Sequence, residues 1–146
     1  MRITYKGDYA LKTILDLAVH YGAKPVTIHT LARRADIPIK FLEQILLDLK
    51  RGGFVESRRG KIGGYLLARQ PSQIKLGEVI RFIDGPIEPV LCVNKKYKGC
   101  SDITRCVFRD VWKKVFDSTS EIIDNISFDD LVKKNKRINS NLVYQI

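Results

Sequence analysis

The sequence predicts a mainly α fold with a small β-hairpin: a winged helix-turn-helix domain followed by a long helix suited to dimerisation. Three observations predict it. Two short helical patterns are joined by a tight turn and followed by two apolar segments around a basic, glycine-rich tip. A later stretch repeats large apolar residues at alternating steps of four and three. Basic residues also concentrate in one place: residues 33–69 hold nine Lys or Arg and four acids.

Taken in order, Thr4 to Tyr21 reads as a first helix. Tyr9, Leu11, Thr13, Ile14, Leu15, Leu17, Ala18 and Val19 give it a broad apolar face at helical spacing. Gly22 ends it, and Lys24-Pro25 turns the chain. Thr27 is placed to cap a second helix that buries Ile28, Leu31, Ala32 and Ala35. After the turn at Asp36-Ile37, Pro38 suits the first position of a third helix running to about Arg51. Its expected inner side is Phe41, Leu42, Ile45, Leu46 and Leu49; Leu47 fits neither side. Gly52-Gly53 stops it, and Phe54–Ser57 and Tyr65–Ala68 read as hairpin strands around residues 58–64.

A short amphipathic helix over Leu76–Ile83 ends at Asp84-Gly85-Pro86, before a cysteine-bearing loop. From about Ile103 to Asn125 runs the longest helical pattern, with Phe108, Trp112, Val115, Thr119, Ile122 and Ile126 at coiled-coil-like spacing. A lone helix cannot bury such a seam, so a homodimer is expected. Ser127 with Asp130 reads as a capping box opening a last short helix. The chain thus divides into a DNA-binding domain (1–84), a sensor loop (85–103), a dimerisation helix with the short helix after it (104–132), and a basic, mobile tail (133–146).

Composition narrows the function. The 146 residues are 45% hydrophobic, enough for one core, and 26 Lys and Arg against 16 acids give a net charge of +10. That balance favours a polyanionic partner. No apolar run reaches a membrane span, and the N-terminus lacks the apolar stretch of a signal peptide, so a cytoplasmic protein is expected. No nucleophile–base constellation, phosphate loop or paired-carboxylate signature marks an enzyme, so no small-molecule substrate is expected.

Double-stranded DNA is the expected partner, at a palindromic operator read by two copies. Thr27 and Pro38 open the second and third helices, Lys40, Glu43 and Gln44 stand where base edges are read, and Phe41 and Arg51 of the same helix complete the expected DNA-binding set. Glutamate can accept from the cytosine amine, and glutamine can pair with adenine. Arg58, Arg59, Gly60 and Lys61 form a slim basic tip fit for a minor groove.

Cys92, Cys100 and Cys106 follow a Cys-x7-Cys-x5-Cys pattern. Structural zinc sites bring cysteines two to four residues apart, and no such pair exists here. The wide spacing suits a loop wrapped around something larger than one ion, best read as an iron–sulfur cluster. Lys95, Lys96, Lys98 and Arg105 against Asp102 make a field favouring thiolate. Gly99 leaves room for backbone amides to approach a sulfur.

These residues carry a resemblance. Asp8-Tyr9-Ala10-Leu11, Phe41-Leu42-Glu43-Gln44-Ile45-Leu46, Gly63-Gly64-Tyr65-Leu66-Leu67 and Gly77-Glu78-Val79-Ile80 are similar to the Rrf-two (Rrf2) family of bacterial winged-helix regulators. The resemblance covers all but about the last dozen residues and implies a DNA-binding homodimer, usually a repressor. In its IscR-, NsrR- and RirA-like branches it implies that Cys92, Cys100 and Cys106 hold a 2Fe–2S or 4Fe–4S cluster; CymR-like members lack the triad. The IscR branch has a histidine three residues after the last cysteine, where this chain has Arg109. The NsrR branch uses an N-terminal aspartate reaching across the dimer, which makes Asp8 a candidate fourth ligand, beside its ordinary role as a first-turn acid. Asp102, Asp110 and an open coordination site stay as alternatives, whereas His20 and His29 read as ordinary helix residues.

The expected mechanism is a shift between two dimer states, in which the Cys92–Cys106 loop moves the long helix and so the spacing of the reading helices. Two rival readings keep the fold: a cluster-free regulator with a thiol-based redox switch, and a regulator controlled by a protein partner. A membrane-surface reading lacks an exposed apolar face beside the basic one.

Overall fold

The computed structural model describes residues 2–145; Met1 and Ile146, the outer ends of the expected DNA-binding segment and tail, lie outside the described residues. Six helices and one antiparallel hairpin follow in the order α1 (Tyr5–Val19), α2 (Ile28–Ala35), α3 (Ile39–Arg51), β1 (Val55–Arg58), β2 (Gly64–Leu67), α4 (Leu76–Asp84), α5 (Arg109–Asn125) and α6 (Phe128–Tyr144). Single 3-10 turns stand at Pro71–Gln73 and Leu91–Val93. No helix among the described residues is long and apolar enough to cross a membrane.

The core lies where α1 meets α2, α3 and α4, and it is closed below by the start of α6. Ala10, Ile14, Leu31, Leu42, Ile45, Leu46 and Leu49 are buried there with Phe54, Ile74, Val79 and Phe128. Thr13, on the same face of α1, is fully buried because its hydroxyl donates to the Tyr9 carbonyl, leaving no unpaired polar atom. Thr4 caps α1 by accepting from the Gly7 amide, and its own amide donates to Asp84 at the end of α4 (3.0 Å). The first helix therefore starts after Thr4 and ends at Val19, one residue later and two earlier than the periodicity suggests.

Thr27 caps α2, accepting from the Thr30 amide at 3.2 Å. Asp36 then makes the helix-to-helix turn in the left-handed region (φ 52°), where an aspartate is better tolerated than most side chains. Pro38 is the N-cap of α3 with extended ψ (132°), not its first helical residue as expected: its ring sets the chain up for the helix from outside it. In the hairpin Val55 pairs with Leu67 and Arg58 with Gly64. Val26 bridges to Tyr65 through both backbone bonds (3.0 and 2.8 Å), so the segment entering α2 acts as a third, one-residue strand of the wing.

Two expectations for the C-terminal third are corrected. The long helix begins at Arg109 rather than Ile103, because residues 101–108 lie in turns after the cysteine loop. The last helix does not stop near residue 132 before a mobile tail; α6 runs 17 residues to Tyr144. Its start is held by the expected capping box, Ser127 hydroxyl to Asp130 amide and Asp130 carboxylate to Ser127 amide (2.9 Å), and by Phe128 and Val132 in the core. An isolated bridge between Lys75 and Ser127 pins the end of α5 to the start of α4.

Candidate nucleic-acid interface and thiol sensor

α3 turns its buried residues, Leu42, Ile45, Leu46 and Leu49, onto α1, and this fixes which residues face outward. Lys40, Glu43, Gln44 and Leu47 are exposed at i, i+3, i+4 and i+7 and form one stripe. Leu47, which the sequence pattern could not place, belongs to this stripe. Phe41 is corrected as well: expected on the inner side, it is 62% exposed. Its ring lines a groove with Tyr5 and Tyr9 of α1 and with Ile45.

Asp48 anchors the stripe from beneath. Its carboxylate meets Lys6 of α1 at 2.6 Å and Arg51 at 3.6 Å, and it accepts from the Gln44 amide at 3.3 Å. The Lys6 ammonium, helped by Gln44 and Arg51, holds the Asp48 carboxyl below the usual carboxylate range against the opposing pull of burial. Gln44 and Arg51, two expected DNA contacts, are thus oriented by one half-buried acid.

The wing is tied to the reading helix by Lys50, whose ammonium donates to the Ser57 hydroxyl at 2.7 Å. Arg58 folds back on Glu56 at 2.9 Å, so it is held along the strand and not at the tip. Arg59, Gly60 and Lys61 are the exposed tip itself, with Gly60 at φ 114°. Thr27 is spent on capping α2, and Pro38 stands exposed at the entrance to α3. The candidate residues on α3 and the wing therefore share a neighbourhood through Lys50–Ser57, while Thr27 stands at the α2 end of the wing.

The three cysteines are free thiols, all half-buried, on one loop between α4 and α5. Among the described residues no group of three or more His, Cys, Asp or Glu converges as a metal site. A Cβ at Gly99 would meet the Tyr97 ring at 2.8 Å, so the glycine also makes room for that ring. Arg109, the first residue of α5, donates from Nε to the Cys92 carbonyl at 3.4 Å, a link from the cysteine loop to the long helix that the cysteine spacing gave no hint of. Asp8 pairs with Lys12 at 2.7 Å and lines a shallow groove with Arg2, Thr4 and Tyr5. His20 receives Arg34 at 2.6 Å and bonds the Asp16 carbonyl at 2.7 Å, so both of its nitrogens are occupied within the fold.

α5 buries none of its residues, and Phe108, Val111, Trp112, Val115 and Ile122 are exposed along one side. Its other side rests on α4, where Arg81 grips Asp124 with both guanidinium nitrogens and reaches Ser120 at 3.4 Å. Gly77 lies under this clamp, since a Cβ there would strike Asp124 and Arg81. A long helix is therefore held to the body near its C-terminal end and to the cysteine loop at its N-terminal end.

A helix-turn-helix whose second helix presents a polar outward stripe, braced against a hairpin with a basic tip, defines a winged-helix DNA-binding protein. Residues 3–134 match the Rrf2 family, described as an iron-dependent transcriptional regulator. The chain belongs to the Rrf2 family. It is 39% identical over 137 residues to an rrf2-like HTH-type transcriptional regulator of Rhodobacter capsulatus, covering 89% of this chain and 91% of that one. It is 35% identical over 138 residues to the HTH-type transcriptional regulator IscR of Pectobacterium carotovorum, covering 94% of this chain and 82% of that one. Among solved structures it is similar to CymR, the global cysteine regulator of B. subtilis (TM-score 0.77, 30% identity, 92% of this chain and 98% of that one). It is also similar to T. potens IscR (TM-score 0.72, 33% identity, 92% and 88%).

Proposed function

We propose that this Rrf2-family transcriptional regulator acts as a homodimeric repressor whose operator affinity answers to the state of Cys92, Cys100 and Cys106. The observation that carries this reading is the continuity from thiol to helix: the Cys92 carbonyl accepts from Arg109, the residue that opens α5. A change in the loop thereby acts on a helix that carries an unburied apolar seam.

The donor set fits an iron–sulfur cluster. Three free, half-buried thiols in a loop with little regular structure can converge, and cysteine thiolates are the usual cluster ligands. Held by Cys92, Cys100 and Cys106, such a cluster would supply redox- and nitric-oxide-sensitive chemistry. Asp8, if given across the dimer, is the candidate for a fourth position; its carboxylate is half-exposed and, among the described residues, ion-pairs with Lys12 alone. The protein's own part is mechanical. Arg109 transmits loop position to α5, the Arg81–Asp124 clamp passes it to α4, and Asp84 passes it to the cap of α1. α1 in turn positions the reading stripe through Lys6 and Asp48. Lys40, Glu43, Gln44 and Arg51 then read the major groove, while Arg58, Arg59, Gly60 and Lys61 approach the minor groove and Thr27 and Pro38 flank the backbone.

Anaerobic purification from iron-replete cells, with visible absorption and iron and sulfide analysis, tests the reading. A brown protein with stoichiometric iron and sulfide is expected, and Cys100→Ala should remove the colour and change operator affinity at least several-fold. A colourless wild type whose operator affinity still responds to thiol oxidation would replace the cluster by a thiol switch. Affinity unchanged by Cys100→Ala and by oxidation would end the sensor reading, and a protein partner would then be the controlling input.

A further inference from the structure

The cysteine loop and α5 enclose a second feature, which shares Arg109, Lys95 and Lys96 with the sensor reading but none of the cysteine sulfurs. Between them lies a cavity of about 450 Å³, within the range of small-molecule sites. Lys95 and Lys96 line it from the loop side, and Arg109 and Lys113 from the helix side. The floor is apolar, made by Phe116 and the buried Val93. Four cations thus surround a space large enough for a small organic molecule.

The walls are constructed rather than a chance meeting of surface lysines. Asn94 donates to the Glu88 carboxylate at 3.0 Å and accepts from the Lys96 amide at 2.9 Å, which fixes the backbone carrying Lys95 and Lys96. Arg109 is oriented by its bond to the Cys92 carbonyl. Among the described residues, no salt bridge joins any of the four cations to an acid, although Glu88 and Asp117 line the same cavity. The charge is therefore available to a ligand. Arg109, Lys113, Phe116 and Asp117 follow at i, i+4, i+7 and i+8, a different side of α5 from the seam of Phe108, Trp112, Val115 and Ile122, so a second copy packed on that seam leaves the cavity open.

We propose that this cavity binds a compact polyanion, a small molecule carrying two or three carboxylate or phosphoryl groups. Its anionic groups bridge Lys95 and Lys96 to Arg109 and Lys113, and its carbon frame rests on Phe116. By joining loop to helix, the ligand restrains the Cys92 segment, giving the regulator a metabolic input beside its thiols. The site goes beyond the sensor reading and does not need it, because no cysteine sulfur takes part.

The test is isothermal titration calorimetry of the full-length, reduced, metal-free protein with citrate, succinate and inorganic pyrophosphate in turn, at constant ionic strength. Saturable one-to-one binding of at least one is expected. It should weaken at least tenfold in the double variant Lys96→Gln/Lys113→Gln and stay unchanged in Lys24→Gln. Citrate and pyrophosphate separate carboxylate from phosphoryl recognition. Absence of saturable binding for all three, or equal binding by the double variant, overturns the proposal. So does a loss of operator affinity by that variant without added anion, since the lysines would then belong to the DNA interface. Because the titration involves neither cluster nor operator, its failure is distinct from failure of the sensor reading.

Discussion

Asp48 shows how one side chain sets the geometry of the proposed reading surface. Its carboxylate is only 17% exposed and takes Lys6, Gln44 and Arg51 together. Because these partners lower its pKa in the fold, its contribution to stability is present above the unfolded carboxylate value, about 3.9, and is lost as pH falls through the lower folded value. Asp48→Asn should therefore flatten the fall of stability between about pH 5 and pH 3. The change at neutral pH should be no more than about 1 kcal/mol, because Lys6 is solvent-screened. Urea unfolding at acidic and neutral pH, across that range, measures both. Asp16 behaves oppositely: burial raises its pKa against the pull of Arg34 and His20, so its ionisation costs stability as pH rises through that raised value.

The wing depends on close backbone approach. Gly64 opens β2 at φ 150°, and a Cβ there would sit 2.5 Å from the Val26 carbonyl oxygen, the acceptor of the Tyr65 amide. A methyl group has no flexible neighbour to displace, because the obstacle is main chain. Gly64→Ala should cost about 1–3 kcal/mol by chemical denaturation, and it should tilt the hairpin enough to lower operator affinity. An unchanged midpoint would mean that the Val26 bridge is dispensable. The α4–α5 crossing works by a different balance. Arg81 and Asp124 are both more than a third exposed, so Arg81→Gln should cost little stability, under about 1 kcal/mol. It should nevertheless reduce the difference in operator affinity between oxidised and reduced protein, measured by fluorescence anisotropy.

Across the whole molecule, charge and an uncovered seam act together. Phe108, Val111, Trp112, Val115 and Ile122 make a stripe along a helix that buries nothing, and a second copy of α5 is the occupant the proposed function requires. Trp112→Glu with Val115→Glu should yield a monomer by light scattering, with the monomer fold retained because neither residue is in the core. Operator affinity should fall at least a hundredfold, since each reading helix would bind its half-site alone. A dimer that survives both substitutions would place the interface elsewhere.

Much of the reading surface was legible because periodicity is a local property. The α3 stripe of Lys40, Glu43 and Gln44, the turn at Asp36 and the glycine-rich wing tip follow from spacing and backbone preference alone. So does the capping box of Ser127 and Asp130, although the length of the helix it opens was not legible. Without a partner in the sequence to bury against, the polar residues after Lys133 read as a tail, while α6 in fact continues along them to Tyr144. The start of α5 was misjudged for a related reason: apolar spacing across residues 103–108 continues the helical pattern, yet the chain there is still in turns.

The sequence by itself determined the family, the helix-turn-helix with its wing, and the three cysteines in one basic loop, because each is written in neighbouring residues. Only the tertiary structure decided that Phe41 faces outward, that Asp48 orients Gln44 and Arg51, and that Arg109 joins the Cys92 loop to α5. The same holds for the four cations around one cavity. These depend on where distant elements cross, and a crossing is set by packing of the whole core, which no local spacing encodes.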